Sequence, residues 1–234
     1  MRKDPLWWTG IGCALLAAVL TALVVAGWQP LLAYDERVAR DLHAHAVTHP
    51  AVTQFMRVLS DWVWDPWTMR ALAAVACVLL WWRGDRGRAL LVALVTLAAS
   101  VVQQGLKFLV GRERPVWSDP VDSAQYAAYP SGHAMTATVV CGLLLWLLPR
   151  PGPARSAATR APVVGAPVVG TPVAWAVTAW AVAAVSVLGV GFTRMYLGVH
   201  WPSDVLAGWL LGVALVALAT SVPVRARGCD PVER

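Results

Sequence analysis

Three short segments of this 234-residue chain combine side chains whose types could carry out a reaction, and each lies at the edge of a long apolar run. They are Lys107 with Arg114 and Pro115, then Pro130–His133, then Arg194 with His200 and Asp204. Together they supply three cations, two imidazoles, one carboxylate and a Ser-Gly turn. Cations offset the charge of a phosphate, and a histidine can accept a phosphoryl group. The inventory predicts capture of a phosphate and its transfer to histidine.

The third segment places a histidine and a carboxylate four residues apart. If His200 and Asp204 lie in or just before the first turn of a helix, their side chains share one face. A carboxylate beside an imidazole fixes its tautomer and leaves the other ring nitrogen free to attack. A buried polar pair that ties down a helix end is the structural alternative. Arg194 has a planar fork that suits phosphate, but an ordinary interfacial arginine would give the same signal.

The second segment opens a predicted helix. Ser131 is a typical N-cap, and Gly132 lets the backbone approach a ligand closely. The N–H groups at a helix start point at an anion, and the helix dipole favours negative charge there. His133 at the same helix end could protonate a leaving oxygen. The alternative is a simple cap followed by an interfacial histidine.

The first segment places a lysine near the end of an apolar run. Arg114 follows Lys107 by seven residues, so a continuing helix would put both on one face, with Pro115 as its end. Snorkelling of Lys107 to the membrane interface is the structural alternative. We interpret Arg112 and Glu113 as spacers without a role.

The composition indicates a membrane protein. Hydrophobic residues make up 58% of the chain and charged residues 14%, against about 25% charged residues in an average soluble domain. The basic residues are scattered, so the net charge of +6 does not indicate nucleic-acid binding. The four cysteines show no CxxC spacing, so we predict neither a disulfide framework nor a zinc site. We expect one all-α membrane bundle that forms a single domain over residues 1–234.

Six apolar runs predict transmembrane helices, since a span needs about 20 mostly apolar residues. They are Thr9–Gly27, Trp67–Trp82, Ala89–Val110, Gly132–Leu148, Val173–Gly191 and Val205–Val222. The first exceeds the usual signal-peptide core, so we expect it to remain uncleaved. The connection 28–66 is expected to form short helices on the membrane surface, and the Pro-, Ala- and Gly-rich connection 150–172 a flexible linker.

The basic residues predict the orientation. With the N-terminus inside, 11 of the 19 lysines and arginines fall on the inner side, and three of the eight outer ones belong to the reactive segments. This asymmetry fits the positive-inside rule, with both termini cytoplasmic and the three segments outside. In the outer connection, His43, His45 and His49 form a loose cluster. We interpret it as a polar face, with a metal site as the alternative.

The three segments resemble, in order and internal spacing, the signature of the type 2 phosphatidic acid phosphatase (PAP2) family of membrane lipid phosphatases, which is related to the vanadium haloperoxidases. That signature is Lys-x6-Arg-Pro, Pro-Ser-Gly-His and Ser-Arg-x5-His-x3-Asp, and Thr193 replaces its serine here. The resemblance implies that His200 is the nucleophile, Asp204 its orienting partner and His133 the acid. The positions that would bind the substrate phosphate are Lys107, Arg114, Ser131, Gly132 and Arg194. No metal and no other cofactor is implied.

The resemblance implies a lipid phosphate phosphatase of a bacterial plasma membrane. Its substrate would be a polyprenyl pyrophosphate, phosphatidic acid or phosphatidylglycerol phosphate, cleaved through a phosphohistidine. A phosphotransferase with an alcohol acceptor stays open, because the sequence does not separate water from another acceptor. A phosphate-binding transporter is a third hypothesis, but binding alone does not explain the His200–Asp204 pair together with His133. The sequence does not predict the lipid, the pathway or the oligomeric state.

Overall fold

The computed structural model describes residues 4–148 and 172–222, and every regular element within them is helical. The helices are α1 (Pro5–Val25), α2 (Gln29–Thr48), α3 (Pro50–Val58), α4 (Pro66–Trp82), α5 (Arg86–Val110), α6 (Gly132–Leu147), α7 (Pro172–Tyr196) and α8 (Pro202–Thr220). A π-helical turn, Leu59–Val63, lies between α3 and α4. The all-α prediction is confirmed for the described residues.

The helix boundaries follow from local sequence signals. Helices α1, α2, α3, α4 and α8 each carry a proline in their first two positions, where its missing N–H costs no hydrogen bond. Helix α5 ends at Gly111, whose φ of +58° forms a left-handed cap that favours glycine. Arg114 therefore lies in the loop after α5, and the suggested helical continuation from Lys107 to Arg114 is wrong.

Five apolar segments are long enough to cross a membrane. They are Pro5–Val25, Pro50–Trp82, Arg86–Val110, Ala174–Tyr196 and Pro202–Thr220. The remaining predicted span corresponds to α6, which has 16 residues. At 1.5 Å per residue α6 rises about 24 Å, less than the ~30 Å hydrocarbon core of a bilayer. The described residues thus contain five candidate spans and one shorter apolar helix.

Helix α6 lies at the centre of the bundle. It packs against α4, α5, α7 and α8, and its side chains Met135, Val139, Val140 and Leu143 are almost fully buried. They join apolar residues of α4 and α5 in one core cluster. Because its neighbours surround it, α6 can present its N-terminus in the middle of the bundle end.

The connection between α1 and α4 is more regular than the sequence suggested. Helix α2 alone has 20 residues, and its buried positions are Asp35, Ala39, His43 and Ala46, which share one face. That face packs towards α7 and α8. The predicted linker 150–172 lies outside the described residues, except for Pro172, the first residue of α7.

Candidate active site

The three sequence segments meet at one end of the bundle. Lys107 lies in the last turn of α5 and Arg194 in the last turn of α7. Ser131 caps α6, and Asp204 lies in the first turn of α8. His200 lies in the short loop between α7 and α8. The ends of four helices therefore position the side chains of one site.

His200 and Asp204 form a buried pair, with exposed fractions of 2% and 0%. His200 Nδ1 lies 3.4 Å from Asp204 Oδ2. The other ring nitrogen, Nε2, lies 3.2 Å from Nη1 of Arg114. A guanidinium carries only donors, so Nε2 accepts from Arg114 and the proton of the neutral ring lies on Nδ1, towards Asp204. The lone pair of Nε2 thus points to the position where a cation would hold an anionic ligand.

Backbone carbonyl groups hold two of the cations beside His200. The guanidinium of Arg114 donates at 2.6–3.0 Å to three carbonyl oxygens, those of Gln125, Tyr126 and Val199. The Nζ of Lys107 donates to the carbonyl oxygen of Ala127. The loop between α5 and α6 therefore brings Lys107 and Arg114 together without a continuous helix between them.

The third cation, Arg194, is buried and only partly engaged. Its Nη1 donates to Ser60 Oγ at 2.7 Å, and Ser60 belongs to the π-helical turn. Nη1 also lies 3.8 Å from a carboxylate oxygen of Asp61 and 3.8 Å from one of Asp122. The Nε–H of Arg194 is buried without a hydrogen-bond partner in the part of the chain that the structure describes. A buried N–H of this kind is a donor available to a ligand.

The start of α6 is fixed by contacts with two other helices. The side chain of Ser131 accepts from the N–H of Ala134 at 3.5 Å, as expected for an N-cap. The N–H of Ser131 donates to the backbone oxygen of Asp204 at 2.9 Å, which ties α6 to α8. A Cβ at position 132 would lie 2.6 Å from Nε2 of Gln103. Gly132 therefore permits α5 to approach the first turn of α6.

His133 is the second histidine of the site. It lies in the first turn of α6 and within electrostatic reach of His200 and of the cations Lys107, Arg114 and Arg194. The structure thus brings together all eight residues that the sequence predicted for the site. Thr193, which replaces the serine of the signature, donates its hydroxyl to the backbone of its own helix at 2.8 Å.

The electrostatic environment favours a neutral nucleophile among cations. Burial lowers the pKa of His200 well below its ordinary 6.5, and the charges of Arg114, Arg194 and Lys107 lower it further. Burial, followed by the charge of Arg194, lowers the pKa of Arg114 to about 10. At neutral pH the His200 imidazole is therefore uncharged while Arg114 keeps its positive charge.

Sequence reasoning missed Arg112, which contacts Asp204 from behind, and Asp35, which contacts Arg112. Arg112 donates from Nη1 to Asp204 Oδ1 at 2.6 Å and from Nη2 to Asp35 Oδ2 at 2.8 Å. The interpretation of Arg112 as a spacer is therefore wrong. Asp35 lies on the buried face of α2, so the helical periodicity of residues 29–48 could have revealed it. Nothing in the sequence alone distinguished Arg112 from its neighbours.

The three histidines of the connection 28–66 have separate contacts. His43 Nε2 lies 3.1 Å from Asp119, and this hydrogen bond lowers the pKa of the Asp119 carboxyl. His45 Nδ1 lies 3.2 Å from the hydroxyl of Tyr196, and the rings of His45 and His49 stack with centroids 3.9 Å apart. Among residues 4–148 and 172–222, no group of three or more His, Cys, Asp or Glu side chains is arranged to hold a metal ion.

Comparison with known proteins identifies the family. The sequence profile of the PAP2 superfamily matches residues 88–227, more than half of the chain. An undecaprenyl-diphosphatase from Sulfolobus acidocaldarius is 52% identical over 33 residues, which are 14% of this chain and 16% of that protein.

A solved structure shares the fold. It is the crystal structure of a transmembrane PAP2 type phosphatidylglycerolphosphate phosphatase from Bacillus subtilis, with a TM-score of 0.72 and 22% sequence identity. The match covers 91% of this chain and 94% of that chain. The profile, the fold and the apolar spans together show that this chain is an integral membrane protein of the PAP2 superfamily.

Proposed function

We propose that this protein is a lipid phosphate phosphatase that works through a phosphohistidine at His200. One observation carries the proposal: Nε2 of a neutral, buried histidine faces Arg114 at 3.2 Å, while its Nδ1 faces Asp204. A nucleophile beside a cation is the arrangement that attack on a bound phosphate requires. The names of the two relatives, a diphosphatase and a phosphatidylglycerolphosphate phosphatase, support the same class of reaction.

In the first step of the proposed mechanism, Nε2 of His200 attacks the terminal phosphorus atom. The N–P bond forms while the P–O bond to the rest of the lipid breaks, and the electron pair leaves with that oxygen. The negative charge of the bound phosphate offsets the neighbouring cations and favours a protonated His133, which gives the leaving oxygen its proton. Asp204 stabilises the positive charge that the His200 ring acquires.

In the second step, water attacks the phosphorus of the phosphohistidine. His133, now neutral, accepts a proton from the water and regains its acid form. The N–P bond breaks, its electron pair returns to Nε2 of His200, and inorganic phosphate leaves. The same residues therefore serve both steps.

Three cations would bind the phosphoryl oxygens, helped by the start of α6 at Ser131 and Gly132. A phosphate monoester carries about −1.5 to −2 charges near neutral pH, which Lys107, Arg114 and Arg194 can offset. The unpartnered Nε–H of Arg194 supplies a donor, and preorganised donors stabilise the charge that spreads over the transition state. We therefore propose a reaction that needs no metal ion.

The position of the site beside the apolar surface favours a lipid substrate. Phe108 and Leu109 directly follow Lys107 and are 87% and 76% exposed. On a membrane-spanning helix such side chains face the bilayer, so a lipid tail can stay in the membrane while its phosphate reaches Lys107. Polyprenyl pyrophosphate, phosphatidic acid and phosphatidylglycerol phosphate all fit this description.

We propose that α6 is the sixth membrane span and that the whole chain forms one domain. Helix α6 packs against α4, α5, α7 and α8, so the protein around it would separate its ends from lipid and 16 residues could suffice. With the N-terminus cytoplasmic, the positive-inside rule puts the site on the extracytoplasmic face of a bacterial plasma membrane. The exposed Val116 lies close to the site. Replacing it by cysteine and labelling intact cells with a membrane-impermeant thiol reagent tests this orientation.

The test of the proposed function is phosphate release by detergent-purified protein. The panel contains polyprenyl pyrophosphate, phosphatidic acid, phosphatidylglycerol phosphate and a soluble monoester, with His200→Ala in parallel. We expect release from at least one lipid, lost in the variant. No release by well-folded wild type, even with added alcohol acceptors, would overturn the proposal. Transfer of the phosphoryl group to such an acceptor, without release of inorganic phosphate, would identify a phosphotransferase instead.

A further inference from the structure

A buried carboxylate of α2 lies behind the site. Asp35 is 1% exposed. Its Oδ1 accepts from the N–H of Ser203 at 3.0 Å, and its Oδ2 accepts from Nη2 of Arg112 at 2.8 Å and from the hydroxyl of Ser203. All these partners belong to the protein, so Asp35 is not free to contact a substrate.

Arg112 connects this carboxylate to Asp204. Its side chain is 11% exposed, and its Nη1 donates to Asp204 Oδ1 at 2.6 Å and to Ser203 Oγ at 2.7 Å. Its guanidinium also lies over the ring of Trp201, 5.4 Å from the centroid. One cation therefore lies between two buried carboxylates, and the set of three carries a net charge of −1.

These contacts leave Asp204 a single orientation. Arg112 occupies Oδ1, while the N–H of Trp201 donates to Oδ2 at 2.9 Å. Oδ2 is then the oxygen that faces Nδ1 of His200. A buried carboxylate is costly to ionise unless a cation and hydrogen bonds compensate for the lost water. Arg112 provides this compensation, and Asp35 keeps Arg112 from turning towards a bound phosphate.

We propose that Asp35 and Arg112 are positioning residues that hold Asp204 ionised and aimed at His200. The proposal rests on the proposed function, because Asp204 matters only if His200 reacts. Asp35 does not contact the phosphate. It acts on His200 through Arg112 and then Asp204. Loss of Asp35 then lowers the rate of attack by His200 and leaves the phosphate-binding cations in place.

Contacts that only stabilise the packing of α2 against α8 would involve the same hydrogen bonds, so the test must separate a structural role from a positioning role. The variants are Asp35→Asn, which keeps the shape and removes the charge, and Arg112→Lys, which keeps the charge and loses the fork. Ser203→Ala is a milder variant if either of these fails to fold. The matched controls are Glu36→Gln and Asp41→Asn, at exposed positions of the same helix.

We expect kcat to fall by about 10- to 100-fold in Asp35→Asn and Arg112→Lys, by analogy with the outer partners that orient metal-binding histidines. The KM and the affinity for vanadate should stay within about threefold of wild type, and the controls should match wild type. The proposal would be overturned if the variants unfold at a lower temperature but keep the kcat of wild type. It would also be overturned if their affinity for vanadate falls by the same factor as kcat.

The decisive measurement is a double-mutant cycle with Asp204→Asn. If Asp35 acts through Asp204, the variant Asp35→Asn/Asp204→Asn loses no more activity than Asp204→Asn alone. If the two losses multiply, Asp35 does not act through Asp204 and the proposal fails. Failure of the proposed function looks different, because wild type would then release no phosphate at all.

Discussion

The two sides of the site are built in different ways. On the nucleophile side, formed by His200, Asp204, Arg112 and Asp35, the contacts run between buried side chains of α2, the α5–α6 loop and α8. On the cation side, formed by Lys107, Arg114 and Arg194, the partners are backbone carbonyls, one hydroxyl, two carboxylates at 3.8 Å and, for Arg114, Nε2 of His200.

This difference matches two different tasks. A nucleophile must keep one tautomer and one direction, which a closed chain of hydrogen bonds provides. A binding cation must exchange its resting partners for a phosphate, and weak ion pairs with Asp61 and Asp122 allow that exchange. We therefore expect changes on the nucleophile side to lower kcat, and changes on the cation side to weaken phosphate binding as well.

The largest effect is expected on the nucleophile side, from Asp204→Asn. The substitution keeps the size of the side chain but removes the charge that stabilises the His200 imidazolium. By analogy with the aspartate of a Ser-His-Asp triad, kcat should fall by about 10⁴-fold. Steady-state kinetics with the best lipid of the panel measures the loss, and vanadate affinity serves as the control for binding. If the affinity for vanadate falls by a similar factor, Asp204 also affects phosphate binding, and the proposed difference between the two sides is wrong.

His133→Asn tests the acid that serves the leaving group. General acid catalysis contributes about 10²–10⁴-fold in rate, so lipid hydrolysis should slow by that factor. The leaving group of an aryl phosphate such as p-nitrophenyl phosphate departs without a proton. Its kcat/KM, which reports attack by His200 and not the later hydrolysis of the phosphohistidine, should therefore fall far less. The ratio of the two losses is the measurement. Equal losses on both substrates would contradict the role of His133 as the acid.

On the cation side, Arg194→Lys should weaken phosphate binding. Ser60, the hydrogen-bond partner of Arg194, is left unchanged. The lysine keeps the charge but cannot reproduce the Nε–H donor. A hydrogen bond to a charged group contributes about 1.5–3 kcal/mol, so vanadate should bind about 10- to 150-fold more weakly. Inhibition curves give this value, with Arg70→Lys on α4 as the matched arginine control. Unchanged vanadate affinity together with a lower kcat would mean that Arg194 supports the nucleophile and does not bind the phosphate.

The smallest effect is expected from removal of metal ions. Because the cation side offsets the phosphate charge with three side chains, incubation with EDTA should leave kcat and KM unchanged. The assay compares EDTA-treated protein with and without added Mg²⁺, Mn²⁺ or Zn²⁺. A loss that one of these ions restores would contradict the proposed division of tasks, since a metal would then share the work of the cations.

The two sides also differ in how far the sequence predicted them. The cation side and the His200–Asp204 pair carry the family signature, so the resemblance to the family named their residues. Apolar runs also predicted the helices, because burial in a membrane requires about 20 such residues. The loop position of Arg114 could not be inferred from the signature, because it depends on the left-handed cap at Gly111.

The rear of the nucleophile side was not predicted. Arg112 and Asp35 are 77 residues apart, and they meet because the fold brings the loop after α5 beside α2. An aspartate in the connection 28–66 looks like a solvated surface residue until the face of its helix is known. Ser60 is similar, because its contact with Arg194 depends on a π-helical turn that has no clear sequence signal.

The central claim is that the phosphoryl group passes through His200. The most direct measurement is rapid acid-free quenching of the protein with a lipid substrate labelled in its terminal phosphate, followed by detection of label on the protein. The account predicts a label that is stable in alkali, lost in acid, located on the peptide that contains His200, and absent in His200→Ala. The account would be contradicted if the substrate is hydrolysed while no sample quenched within milliseconds carries this label, or if His200→Ala carries an equal amount of label.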